Sequence, residues 1–97
     1  MGNGIRLSLK YYNVVREKTG RPAEVLEVPS GSRWVDVLQS LCDRYGPEFR
    51  QLVMPRPGRL GSQMRVFRDG HILLDQHLAE EASEGAELAL FCAISGG

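Results

Sequence analysis

The feature that most constrains the fold is a single strong helical pattern set among segments typical of β-strands. Apolar side chains recur at helical spacing between residues 34 and 45, and the pattern stops at Gly46-Pro47. They are Trp34, Val35, Leu38, Leu41, Cys42 and Tyr45. The spacing predicts one long amphipathic helix, whose apolar side must be buried against the strand-like segments.

Two strands are predicted before this helix. Residues 5–12 alternate apolar and polar side chains, and residues 23–29 form a second apolar-containing segment that ends at Pro29. The connection of about ten residues is short for a parallel crossover, so the pair is expected to form an antiparallel hairpin. The connection itself has room for one short helical turn before Gly20.

Three further strands are predicted after the helix. Residues 64–68 and 72–74 flank Asp69-Gly70, a dipeptide that strongly favours a hairpin turn. Residues 87–94 form the last strand, with an almost continuous apolar run. A shorter apolar segment at 49–53 is interpreted as a second, short helix.

This order predicts an α+β fold with one mixed sheet of about five strands packed on one long helix. If the last strand pairs with the first, it lies at the centre of the sheet, which its apolar run permits. That is the β-grasp, or ubiquitin-like, arrangement. The 97 residues suffice for one core. We therefore expect a single domain over residues 1–97, with residues 95–97 as an extended C-terminal tail.

The composition argues against several classes of function. The longest apolar run, residues 88–94, is far shorter than the roughly 20 residues that cross a bilayer, so a cytoplasmic protein without membrane contact is expected. The sequence pI of about 6.7 argues against a nucleic-acid partner. Cysteines 42 and 92 and histidines 71 and 77 lack the spacing of a metal site, so we expect no bound metal and no disulfide.

The chain ends on Ser95-Gly96-Gly97 directly after the last predicted strand. A terminal carboxylate can attack a nucleotide phosphorus held in another enzyme, and the resulting acyl-adenylate can be displaced by sulfide, a thiol or an amine. Glycine suits a tail that enters a narrow channel, because it has no side chain and few conformational limits. Two terminal glycines also arise by chance, so a tail without a role stays open at this point.

Residues 89–97, ALFCAISGG, resemble the C-terminal signature of the MoaD/ThiS family of ubiquitin-like sulfur carriers, which typically reads ALFPPVSGG. Ile94 stands where the family has valine, and the remaining matches are Ala89, Leu90, Phe91, Ser95, Gly96 and Gly97. Residues 16–20, 24–32 and 67–73 are also similar to the family, and residues 49–63 are less so. The length is closest to that of the MoaD-type carriers.

The resemblance implies a protein cosubstrate rather than an enzyme. A ubiquitin-activating-enzyme-like adenylyltransferase would use ATP and magnesium to adenylate Gly97, and a sulfur donor would convert it to a thiocarboxylate. A sulfur-accepting enzyme, such as the molybdopterin synthase large subunit, would then receive the sulfur. The chain would bind no cofactor itself. Ser95 and Gly96 would form the thin tail, and Phe91 and Ile94 would contact a partner, although burial of Phe91 in the core is equally compatible with the pattern.

The resemblance to this family leaves three functions open. The first is a sulfur carrier for molybdopterin biosynthesis, which the length favours, and the second is a carrier for another pathway, such as cysteine, thiamine or a secondary metabolite. The third is a ubiquitin-like modifier joined through Gly97 to lysines of target proteins. A free-standing enzyme is not expected, because the sequence contains no catalytic triad pattern and no phosphate-binding loop.

The tail departs from the family at Cys92-Ala93, where two prolines are usual. Proline has no backbone N–H, so its absence should allow the end of the last strand to continue its pairing. Cys92 also brings a thiol near the terminus, and an internal thioester is a minor alternative because such a thiol is mostly neutral without a nearby base.

Overall fold

The computed structural model describes residues 3–93, which contain both strands and helices. In chain order they are β1 (Gly4–Tyr11), α1 (Asn13–Thr19), β2 (Ala23–Pro29), α2 (Trp34–Tyr45), α3 (Pro47–Val53), β3 (Met64–Arg68), β4 (His71–Ile72), a single 3-10 turn (Asp75–His77) and β5 (Glu87–Cys92). The predicted tail, residues 95–97, lies outside the described residues.

The strands form one mixed sheet in the order β2-β1-β5-β3-β4. β1 runs antiparallel to β2 and parallel to β5, with Ser8 opposite Glu87 and Tyr11 opposite Leu90. β3 runs antiparallel to both β5 and β4. The last strand therefore lies at the centre of the sheet beside the first, and the predicted α+β, β-grasp fold is confirmed.

The core lies between α2 and one face of the sheet. Alternate residues of each strand point to the same face, so buried side chains recur at every second position along most of β1, β3 and β5. The buried side chains are Leu7, Leu9, Tyr11, Met64, Val66, Leu88, Leu90 and Cys92. From α2, Trp34, Val37, Leu38 and Leu41 are fully buried against them, as the helical spacing predicted for three of the four.

The helical content is larger than the sequence indicated. The link between the first two strands contains the seven-residue helix α1, where one short turn was predicted. α1 buries Val15 and Thr19, and a pattern of two buried residues is too short to reveal a helix in the sequence. The predicted short helix at 49–53 is α3, which begins two residues earlier with proline in its first turn, where no N–H is needed.

Two strands are shorter than predicted. The return strand was predicted at 72–74 but is β4, His71–Ile72. Leu73 N–H still donates to the Val66 carbonyl at 2.7 Å, but Leu74 begins the 3-10 turn, and its N–H donates to His77 Nδ1 at 2.9 Å. β5 ends at Cys92, and Ile94, the last residue of the predicted strand, lies outside the described residues.

The loop before β3 is held against α3 at Gly61. Its N–H donates to the Val53 carbonyl at 2.9 Å, and its own carbonyl accepts from the Met64 N–H at 2.9 Å. A Cβ at this position would lie 2.1 Å from the Leu52 carbonyl oxygen, so only glycine can approach α3 this closely. This contact fixes the point at which β3 begins.

A carboxylate near the end of α2 joins three elements. Glu24 on β2 has a side chain that is 6% exposed, and it accepts hydrogen bonds of 2.5 Å from the hydroxyls of Tyr11 and Tyr45. Arg44 Nη1 lies 2.7 Å from its other oxygen, and Arg21 Nη1 lies 3.4 Å from that oxygen. Burial favours a raised pKa for Glu24, but the two hydroxyls and the two arginines outweigh it and lower the pKa.

Replacing Glu24 with glutamine is expected to destabilise the fold by about 2 kcal/mol at neutral pH, because charge-assisted hydrogen bonds are lost. A lowered folded-state pKa contributes stability above the ordinary carboxyl pKa, and this contribution disappears as the pH falls through the folded value. The difference between wild type and E24Q should therefore shrink below about pH 4. Chemical denaturation at a series of pH values above and below about pH 4 measures the free energy of unfolding of both proteins. A difference that does not change with pH would contradict the lowered pKa of Glu24.

Candidate functional site

The candidate site is the end of β5, from which the C-terminal tail leaves the fold. Four of the predicted site residues, Ile94, Ser95, Gly96 and Gly97, lie outside the described residues. The fifth, Phe91, lies on β5, one residue before its end. The described residues therefore define the base of the tail and the surface beside it.

Phe91 lies on the face of the sheet opposite the core. Leu88 and Leu90 are fully buried under α2, so Phe91 must project to the other side. There its ring stacks on that of Phe67, with centroids 5.7 Å apart and planes 13° apart, and it remains half-buried. The sequence was compatible with Phe91 either in the core or on the outside, and in the structure it lies on the outside. The contact of Phe91 with a partner stays a prediction.

Phe91 belongs to an apolar patch on this outer face. Phe67 lies opposite Ala89 on one side and opposite Ile72 on the other, and Ile72 is 43% exposed. We call Phe67, Ile72, Ala89 and Phe91 the outer patch. Arg65 lies opposite Phe91 at its margin. A half-buried, stacked pair of aromatic rings next to exposed apolar side chains is the kind of surface on which protein partners dock.

On one side of the tail base, an asparagine side chain replaces a strand. The last backbone hydrogen bond from β1 to β5 is donated by Tyr12 N–H to the Leu90 carbonyl at 3.1 Å. Beyond it, Asn13 Nδ2 donates to the Cys92 carbonyl at 3.0 Å, and Cys92 N–H donates to Asn13 Oδ1 at 3.1 Å. The amide group thus pairs with both backbone polar groups of Cys92, as the residue directly opposite on an antiparallel strand would.

On the other side, the tail base is held by the residue that precedes β3. Ala93 N–H donates to the Gln63 carbonyl at 2.6 Å. Cys92 and Ala93 occupy the positions where the family usually has two prolines, and both of their N–H groups are used. Prolines here would remove both donors. The interpretation that this exit continues its pairing therefore agrees with the structure.

The sequence analysis missed Asn13 and Gln63. Asn13 has φ 42°, a left-handed conformation that asparagine adopts more readily than most residues, and only Tyr12 separates it from β1. That residue type at a strand end was the available signal, but its partner lies 79 positions away. Gln63 contributes a backbone carbonyl, for which no side-chain signal exists.

The thiol of Cys92 lies on the core side of β5, in line with Leu88 and Leu90, and the residue is 9% exposed. Cys42 is buried within α2, where burial raises the pKa of its thiol. Neither cysteine faces the outer patch. A buried thiol on the opposite face gives little support to an internal thioester with the terminus.

Among residues 3–93, no three histidine, cysteine, aspartate or glutamate side chains come together as a possible metal site. None of the helices in this range is long and apolar enough to cross a membrane.

Comparison with known proteins identifies the family. The ThiS family model matches residues 9–97. No curated protein sequence matches the chain. Among solved structures, the small archaeal modifier protein 1 (SAMP1) from Methanosarcina acetivorans superposes with a TM-score of 0.76, at 22% identity, over 99% of this chain and 100% of the other.

Two more solved structures share the fold at low identity. A putative molybdopterin converting factor, subunit 1, from Pyrococcus furiosus has a TM-score of 0.74 at 20% identity, with 93% of this chain and 99% of the other covered. Mycobacterium tuberculosis CysO has a TM-score of 0.69 at 19% identity, with 91% and 99% covered. With the family model matching through the last residue, the chain belongs to the ThiS family of ubiquitin-like sulfur carriers.

Proposed function

We propose that this protein carries sulfur on its C-terminus, as a thiocarboxylate of Gly97, and delivers it to molybdopterin biosynthesis. One observation carries the proposal: the ThiS family match extends over residues 9–97 and so includes the terminal Gly96-Gly97. The β-grasp fold supports it, because β5 is central in the sheet and its last described residues lie beside the outer patch.

The chemistry is supplied largely by partners. In an adenylyltransferase related to ubiquitin-activating enzymes, an oxygen of the Gly97 carboxylate attacks the α-phosphorus of ATP, and the bond to pyrophosphate breaks. Hydrosulfide, or an equivalent sulfur donor, then attacks the carbonyl carbon, and AMP leaves with the oxygen that joined it to the acyl group. Magnesium and ATP belong to the activating partner. The carrier contributes the carboxylate and its delivery.

The described residues support a carrier in two ways. The outer patch offers aromatic side chains that can be buried against a partner without opening the core, because Phe91 and Phe67 lie on the opposite face from Leu88 and Leu90. The tail base is fastened on both sides, through Asn13 and Gln63. Such a chain acts as a cosubstrate rather than as an enzyme, and its ATP-dependent activation belongs in the cytoplasm, where its free thiols would stay reduced.

The choice of molybdopterin biosynthesis rests on the MoaD-type length and tail. The Pyrococcus furiosus protein with the same fold is described as a putative molybdopterin converting factor subunit. CysO, from Mycobacterium tuberculosis, also shares the fold, so a carrier for a different pathway is the first alternative. The sulfur-accepting partner distinguishes them: the molybdopterin synthase large subunit is expected to take sulfur from this chain.

A protein modifier is the second candidate, because one of the fold neighbours is named as a small archaeal modifier. A modifier would transfer its Gly97 acyl group to lysines of other proteins and leave thiol-resistant conjugates. The chain has only two lysines of its own that could accept the acyl group. Both form ion pairs: Lys10 lies 3.2 Å from Glu87, and Lys18 lies 3.2 Å from Glu48. Conjugates on other proteins in place of a thiocarboxylate would decide for the modifier.

Deleting Gly97 should abolish activation while leaving the fold intact, because Gly97 carries the reacting carboxylate and lies beyond the last residue of the sheet. ATP–pyrophosphate exchange catalysed by the adenylyltransferase measures activation, and thermal unfolding measures the fold. A truncated chain that still supports exchange would contradict the proposal. Loss of the folded state on truncation would mean that the tail is structural.

Replacing Phe91 with alanine should raise the KM of the activating enzyme for the carrier by about tenfold, as expected for truncation of an aromatic docking residue. The loss of ring stacking with Phe67 should destabilise the fold by only about 1 kcal/mol. Val25, which is 66% exposed on the edge strand β2, provides the control, and V25A should leave KM unchanged. Equal effects of F91A and V25A would argue against the outer patch as the docking surface.

A further inference from the structure

The side-chain pairing of Asn13 with Cys92 stands where the ladder between β1 and β5 would otherwise end. After Tyr12 the chain leaves the sheet to form α1, and the Tyr12 carbonyl accepts from Val15 N–H at 3.1 Å and Arg16 N–H at 3.3 Å. That carbonyl is the group that a continued parallel ladder would offer to Cys92 N–H. Because the Tyr12 carbonyl accepts hydrogen bonds from α1, Cys92 N–H donates to the side-chain oxygen of Asn13 instead.

We propose that Asn13 is a positioning residue for the activation of Gly97: its amide sets the direction in which the tail leaves the sheet. The inference rests on the proposed function and adds to it a residue outside the tail and outside the outer patch. The proposed role requires no contact of Asn13 with the carboxylate or the nucleotide. It acts through the backbone of Cys92, from which the tail continues.

The chemistry of the position requires this side chain. A primary amide offers one donor and one acceptor a short distance apart, so it can pair with the N–H and the carbonyl of the same residue. Aspartate would keep an acceptor for Cys92 N–H but would place a negative oxygen against the Cys92 carbonyl. Glycine would accept φ 42° without strain but would offer no partner at all.

The direction of the chain at Cys92 and Ala93 matters because a small change in it displaces the far end of the tail by a larger distance. The four residues beyond Ala93 can span at most about 14 Å, so a change of about 10° at the base can move the far end by about 2 Å. A misplacement of about 1 Å at a reacting centre can lower a rate by up to about a hundredfold. On the other side of the base, Ala93 N–H remains bound to the Gln63 carbonyl, so the loss of Asn13 removes one of two fastenings.

The start of β5 carries a matched feature that serves as the control. Asp69 also has a positive φ, 49°, and its Oδ1 accepts from Glu87 N–H at 3.0 Å. Asn13 thus fastens the last residue of β5 through its side chain, and Asp69 fastens the first. Replacing either with glycine keeps a permitted backbone conformation and removes a side-chain hydrogen bond to the same strand.

The experiment measures ATP–pyrophosphate exchange with a purified ubiquitin-activating-enzyme-like adenylyltransferase that activates the wild-type chain. We expect N13G and N13D to lower kcat about tenfold and to leave KM for the carrier within about twofold, because docking is intact and only delivery is impaired. D69G should retain the wild-type kcat. Hydrogen exchange of the Cys92 amide, measured on the carrier alone, should be faster in N13G and unchanged in D69G.

Three results would contradict the role of Asn13 or the proposed function. If the Cys92 amide of folded N13G exchanges faster but kcat stays at the wild-type value, tail delivery does not depend on Asn13. If D69G lowers kcat as much as N13G does, the effect is a general weakening of β5, and the positioning role is wrong. If no adenylyltransferase activates the wild-type chain, the proposed function fails, and this inference fails with it.

Discussion

The parallel pairing of β1 with β5 is the interaction on which the rest of the structure depends. It places the first and last strands side by side at the centre of the sheet, with Tyr11 opposite Leu90. β5 is then enclosed by a strand on each side, and its inward side chains share one core with those of α2. A chain end that leaves from this position starts from a strand that is paired on both sides. A frayed C-terminus on an edge strand would offer no such support.

The alternation of side chains along β5 separates its structural residues from its functional ones. Leu88 and Leu90 are fully buried, and truncation of such leucines typically costs about 2 to 5 kcal/mol. Phe91 projects to the other face, where it can be covered by a partner without any change in the core. Because the strand period is two residues, a single strand can secure the fold and present a docking surface at the same time.

The sequence predicted those features that depend on local periodicity. The helix from Trp34, the outer strands and the central last strand all follow from the spacing of apolar residues. The features that it did not predict depend on partners far along the chain. Asn13 pairs with a residue 79 positions away, and Glu24 is surrounded by side chains from β1 and α2. Of the candidate site, the sequence indicated the tail and Phe91, whereas the fastening of the tail base became visible only in the fold.

The central claim is that Gly97 carries sulfur, and intact mass spectrometry tests it most directly. The chain is incubated with a ubiquitin-activating-enzyme-like adenylyltransferase, ATP, magnesium and hydrosulfide, and fragmentation locates any change. The account predicts the replacement of one oxygen by sulfur at Gly97. An unchanged mass from an enzyme that does adenylate the chain would contradict it, and so would transfer of the Gly97 acyl group to lysines of other proteins.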